Sequence, residues 1–86
     1  MKVLVLYRLN SEHRRSIEEF VDNLRKDGSI KVETLNIDTR EGISIASLYD
    51  ITSYPAIMVL RDDGVVQHLW LGSTIPLIDE VKSYIS

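Results

Sequence analysis

The chain has 86 residues, 44% of them hydrophobic, with 13 acidic against 10 basic side chains for a net charge of −3, and it has no cysteine. That length makes one domain, residues 1–86. The acidic balance argues against nucleic acid, which asks for a basic face. No apolar run approaches the roughly 20 residues of a membrane span, and the opening apolar run is too short for a secretory leader, so a soluble, cytoplasmic protein with no membrane partner is expected.

Residues 3–7 are a short apolar run rich in β-branched types, which suits a central strand buried on both faces. Asn10 and Ser11 end it, and Ser11 is a suitable N-cap. Ile17, Phe20, Val21 and Leu24 then recur at helical spacing, predicting an amphipathic helix over 11–26 with Gly28 as its C′ residue. Residues 31–37 alternate as a second strand, and the helix between makes the two strands parallel with a right-handed crossover. A shorter helix is predicted over 42–49 and a third strand over 57–61. Asp62-Asp63-Gly64 is a hairpin turn leading to a return strand over 65–71. Gly72 breaks that strand. Thr74 is the predicted cap of a last helix whose Leu77, Ile78, Val81 and Ile85 face the sheet. The expected architecture is α/β: β-α-β-α-β-β-α, a mixed four-stranded sheet with helices on both faces.

This order, with Asn36-Ile37-Asp38 closing the second strand, the segment Tyr49-Asp50-Ile51-Thr52-Ser53-Tyr54-Pro55, and the Asp63-Gly64 hairpin followed by Leu71-Gly72, resembles the thioredoxin-like family in a compact, glutaredoxin-sized form. The resemblance covers nearly the whole chain, and residues 49–55 carry it most specifically. It implies a thioredoxin-like fold and a cis peptide bond before Pro55. The departures all fall on redox chemistry. The corner where thioredoxins carry Cys-x-x-Cys reads Ser11-Glu12-His13-Arg14. Asn10 stands for the preceding tryptophan, Val5 for a buried aspartate and Thr34 for its lysine partner. Disulfide exchange needs a thiolate nucleophile, and a serine hydroxyl cannot take its place.

The resemblance further implies that the residue before Pro55 offers its backbone to an extended substrate, much as a strand adds to an edge. The expectation is a redox-inactive protein- or peptide-binding module, with no catalytic residue and no cofactor. Its candidate ligand-binding residues are Ser11, Glu12, His13, Arg14, Ser53, Tyr54, Pro55 and Gly72. The alternative is a glutathione-binding, transferase-like protein in which Ser11 positions a sulfur. Arg8, Arg14, Arg15 and His13 near a helix start offer a place for a small anion. The plainer account is a solvated helix face in which Arg14 and Arg15 pair with Glu18 and Glu19. With only His13 and His68, no metal site is expected. Leu69-Trp70-Leu71 puts bulky apolar groups on both faces of its strand, as core or as a contact patch. Tyr7, Tyr54 and Trp70 are taken together as a possible groove, with Tyr7 and Trp70 as interface residues.

Overall fold

In the computed structural model, which describes residues 1–72 and 75–85, the elements follow the expected order. They are β1 (Lys2–Tyr7), α1 (Arg14–Arg25), β2 (Lys31–Asn36), α2 (Arg40–Leu48), β3 (Ala56–Leu60), β4 (Val66–Leu71) and α3 (Ile78–Ser83). They form one sheet in the order β2-β1-β3-β4. β1 runs parallel to β2 and antiparallel to β3, and β3 runs antiparallel to β4.

β1 is buried on both faces because the core lies on both. Val3, Val5 and Tyr7 face the side covered by α1 and α3, together with Ile17, Leu24, Ile57, Val59 and Val81. Leu4 and Leu6 face the side covered by α2, together with Ala46, Ile51, Ala56 and Met58. Among the described residues no polar or charged residue is buried. No helix among them is long and apolar enough to cross a membrane.

The helix ends differ from the sequence reading. α1 begins three residues late, with His13 at its N-cap in helical backbone geometry and without a side-chain cap. The Ser11 hydroxyl instead donates to the Arg8 carbonyl at 2.8 Å, and the Ser11 carbonyl accepts from the Arg14 N–H at 3.3 Å. A tight turn thus takes the place of the predicted serine cap. The far end closes through the Lys26 N–H on Asn23 and Leu24. Gly28 does not adopt the left-handed conformation expected of a C′ glycine, because the chain leaves the helix through a right-handed turn.

α2 begins two residues earlier than predicted, at a cap the pattern had hidden. Thr39 is extended, and its hydroxyl accepts from the Gly42 N–H at 3.0 Å while donating to the Asn36 carbonyl at 2.6 Å. Removing such a cap costs about 1 kcal/mol. Thr39→Ala is therefore expected to lower stability by about that amount, with Thr39→Ser retaining most of it. Urea titrations of the two variants would check this, and equal midpoints would remove the cap from the account.

α2 ends in a Schellman arrangement: the Ile51 N–H reaches the Ala46 carbonyl at 2.8 Å and the Asp50 N–H reaches that of Ser47 at 3.3 Å. Asp50 takes the left-handed position, φ 55°, usually held by glycine; a short polar side chain tolerates it. The apolar contact that accompanies this motif is supplied by Ile51 and Ala46, both in the core.

The predicted hairpin is present. Gly64 has φ 87°, its N–H meets the Arg61 carbonyl at 2.9 Å, and Asp63 Oδ1 accepts from the Val65 N–H at 3.1 Å. The β3–β4 register shifts beside Val59 and Leu60, leaving Gln67 as the extra residue of a bulge. On α3, Val81 is buried and Ile78 packs against the core, as does Ile85 just past the end of the helix, as expected. Leu77 does not: it precedes the helix and is 69% exposed. The Leu77 N–H is capped by the Glu80 carboxylate at 3.3 Å, which turns the residue's side chain away from the sheet-facing stripe. The predicted Thr74 cap lies outside the described residues.

Candidate functional site

The sheet register brings the two candidate segments to one end of the molecule. Leu6 on β1 lies opposite Ala56 on β3. The corner after Tyr7 and the segment before Ala56 therefore leave the sheet side by side. The Tyr54–Pro55 peptide bond is cis, and Pro55 is buried. Its carbonyl is already used, accepting from the Gly72 N–H at 3.0 Å. Gly72 turns out of the sheet with φ 86°.

Tyr54 differs from its neighbour. Its ring packs half-buried on the α2 side of the sheet, and its hydroxyl donates to the Ile51 carbonyl at 3.1 Å. The Schellman turn at the end of α2 fixes Ile51, so the end of that helix also positions Tyr54. Among the described residues, neither the backbone N–H nor the carbonyl of Tyr54 has a hydrogen-bond partner. Ser53, beside it, is exposed.

At the corner, the cations are spread among carboxylates. Arg14 pairs with Glu18 at 2.9 Å, Arg8 with Asp38 at 3.3 Å, and His13 Nε2 lies 3.7 Å from Glu12. The open depression next to Ser11 is lined by Arg14 and Arg15 but also by Glu12, Glu18, Glu19 and Asp22. Acidic groups outnumber basic ones there, which disfavours the small anion expected from the arginines alone. Residue types present Glu18 and Glu19 as ion-pair partners and give Asp22 no role. The spacing of Glu18 and Asp22, one helical turn apart, was the available signal. Ser11 donates its hydroxyl hydrogen to the Arg8 carbonyl, so a bound sulfur would have to compete with that bond.

The three-aromatic groove does not form. Tyr7 and Trp70 pack on the α1/α3 side of the sheet and Tyr54 on the α2 side. Tyr7 is 8% exposed, so it is a core residue rather than an interface residue. Trp70 is half-buried, with its ring edge-to-face against His68 at 4.4 Å and Tyr84 at 5.6 Å, while His68 stacks on Tyr84 at 4.4 Å. Among the described residues no group of histidine and acidic side chains is arranged to hold a metal.

Two carboxyls are held below their ordinary acidity range. At Asp27 the cause is hydrogen bonding from the Ser29 side chain and backbone. At Asp62 it is the hydrogen bond and charge of the chain's N-terminal ammonium. Asp27 precedes β2 and Asp62 follows β3, so both lie at the end of the sheet away from Tyr54. Shifted acidities often mark catalytic sites; here they mark surface pairs.

No family model matches the chain, and no curated protein matches it. Solved structures do. Thioredoxin 1 from the thermophilic eubacterium Thermosipho africanus TCF52B superposes with a TM-score of 0.74 at 15% identity, over 99% of this chain and 90% of that one. The fold is that of thioredoxin. Thioredoxin O2 from Arabidopsis thaliana, in its oxidized state, superposes equally well, with a TM-score of 0.74 at 15% identity over 98% of this chain and 70% of that one. At that identity the likeness is one of fold. Within the thioredoxin fold this chain has Val5 and Thr34 paired across β1 and β2, and it has no cysteine. Without a thiol, these 86 residues cannot form the mixed disulfide of thiol–disulfide exchange.

Proposed function

We propose that this thioredoxin-fold chain is a redox-inactive binding module that takes an extended peptide segment against the Tyr54 backbone. The observation that carries this reading is that the Tyr54 N–H and carbonyl at the sheet end have no partner among the described residues, next to a proline whose own carbonyl is already committed. An extended peptide meets such a pair as it meets a strand edge, with main-chain bonds for affinity and neighbouring side chains for selectivity. Each neutral hydrogen bond contributes only about 0.5–1.5 kcal/mol net. Binding is therefore weak unless Ser53, His13 and the acidic face of α1 add contacts, and that acidic face favours a basic segment. The glutathione reading loses support because the Ser11 hydroxyl is committed to Arg8.

The test is an amide chemical-shift titration with an unfolded, lysine-containing peptide, and separately with glutathione. The expected result is peptide-dependent shifts centred on Ser53, Tyr54 and Gly72, with glutathione inert. Shifts confined to other surfaces, or none at saturating peptide, would overturn the reading.

A further inference from the structure

The two edges of the sheet are built differently. β2 closes one edge with Lys31 and Glu33, and Lys2 and Lys31 reach Glu33 at 3.3 and 3.6 Å. Charges of this kind keep an edge from pairing with another chain. β4 forms the other edge and reads Val-Gln-His-Leu-Trp-Leu, with no charged residue and no proline. Leu71 on it is 46% exposed, and Leu69 and Trp70 are only half-buried.

The direction of the β4 backbone groups follows from the ladder. The Gly72 N–H bonds the Pro55 carbonyl, so Pro55 and Gly72 form a hydrogen-bonded pair. Alternation then makes Ile57 with Trp70, and Val59 with His68, hydrogen-bonded pairs too. The N–H and carbonyl groups of Leu69 and Leu71 therefore point away from β3. Among the described residues nothing bonds to them. The bulge at Gln67 ends the regular edge, leaving His68–Leu71 as its usable length.

We propose that β4 pairs antiparallel with β4 of a second copy of this chain, about a two-fold axis through Trp70, extending the sheet across both molecules. Two conditions select this register. Residues facing each other across an antiparallel pair must share a face of the sheet, so the axis passes through a residue rather than between two. Centring on Leu69 would draw the bulged Gln67 into the ladder. Centring on Trp70 instead sets Leu69 opposite the partner's Leu71, and Leu71 opposite the partner's Leu69, using only the regular, outward-pointing groups. Trp70 then faces the partner's Trp70 at the close, non-hydrogen-bonded position, where aromatic pairs are favourable. On the other face the two leucines of each strand interlock and cover the exposed Leu71. No like charges meet, because the strand has none, and a self-complementary strip of this kind fits an isologous dimer.

The proposal is tested on the whole chain by sedimentation and by amide hydrogen exchange over a wide range of concentrations. The expected result is a reversible monomer–dimer equilibrium in which the Leu69 and Leu71 amides slow with concentration while His68 and Trp70, bonded to β3, are protected throughout. Leu71→Lys, at an exposed position, is expected to weaken the dimer about tenfold or more while leaving the monomer's circular dichroism intact. A chain that stays monomeric over the whole range overturns the proposal. So does a dimer in which the Leu69 and Leu71 amides exchange as fast as in the monomer. Neither outcome bears on peptide binding at Tyr54.

Discussion

Gly42→Ala is expected to unfold the domain, or to destabilise it by more than about 3 kcal/mol, the upper end of the usual range for overpacking. Gly42 lies in the first turn of α2, buried against the end of β2. A methyl group there would collide with the Asn36 carbonyl oxygen, and it would sit 2.8 Å from the Asn36 carbonyl carbon and 2.9 Å from the Ile37 Cα. All three atoms are backbone. No rotamer change can relieve the contact, so either α2 lifts from the sheet or the end of β2 bends. Both outcomes break the packing of Ala46 and Ile51 in the α2-side core. For a domain this small, whose stability is only a few kcal/mol, that is most of what holds it folded. Gly28→Ala is the control, because a methyl group there meets nothing within 4 Å. Circular dichroism melts of the two variants decide the matter, and a Gly42→Ala protein melting with the Gly28→Ala protein would sink the argument.

The second large effect is expected from Val5→Asp, which restores the buried acid that the family resemblance places there. Val5 is fully buried in β1, among aliphatic and aromatic side chains. Its neighbour across the parallel pair is Thr34, which carries no charge. An uncompensated buried carboxylate costs about 3–5 kcal/mol, and it lowers that cost only by taking up a proton. Because the folded-state pKa would be raised above the unfolded one, the penalty is smallest at acid pH and grows as pH rises through the carboxylate range. Adding Thr34→Lys is expected to recover part of the loss, with a coupling of about 0.5–3 kcal/mol for neighbours of this kind. Urea denaturation of the single and double variants at acidic and neutral pH provides the cycle. A single variant as stable as the parent at neutral pH would show that water reaches this part of the core.

Most of the fold could be read from the chain because its signals are redundant. The apolar run at residues 3–7, the helical stripe of Ile17, Phe20, Val21 and Leu24, and the Asp63-Gly64 turn each point to one element, and together they allow few topologies. The misses fall where a single local contact decides. Ser11 has the chemistry of an N-cap, but its hydroxyl found the Arg8 carbonyl first. Leu77 fits the stripe of α3, but it sits at the helix entrance, where the chain is not yet turning with the helical period. Asp50 in a glycine's position had no signal, since aspartate accepts the left-handed conformation without announcing it.

The candidate site was less legible for a different reason. Residue types showed that the thiols were gone. They did place Glu18 against Arg14, one helical turn on, as the structure has it, but they could not show that Arg8 would be matched by Asp38, or that Tyr7 and Tyr54 would lie on opposite sides of the sheet. Those outcomes depend on which way side chains leave a strand or a helix once its exact start is set. α1 starts three residues later than the sequence pattern predicts, most of a helical turn.

The position of β1 has a consequence for how the chain is made. β1 is synthesised well before its antiparallel partner β3, with Lys2 opposite Leu60. Until β3 leaves the ribosome, β1 can pair only with β2, and the α2-facing side chains Leu4 and Leu6 have no Met58 or Ala56 to pack against. Until then the nascent chain carries an apolar strand with one edge open, and its final sheet closes late, through contacts far apart in sequence, the kind that form slowly. A chaperone acting on this protein would find its binding segment in β1, in residues that end up buried on both faces of the sheet.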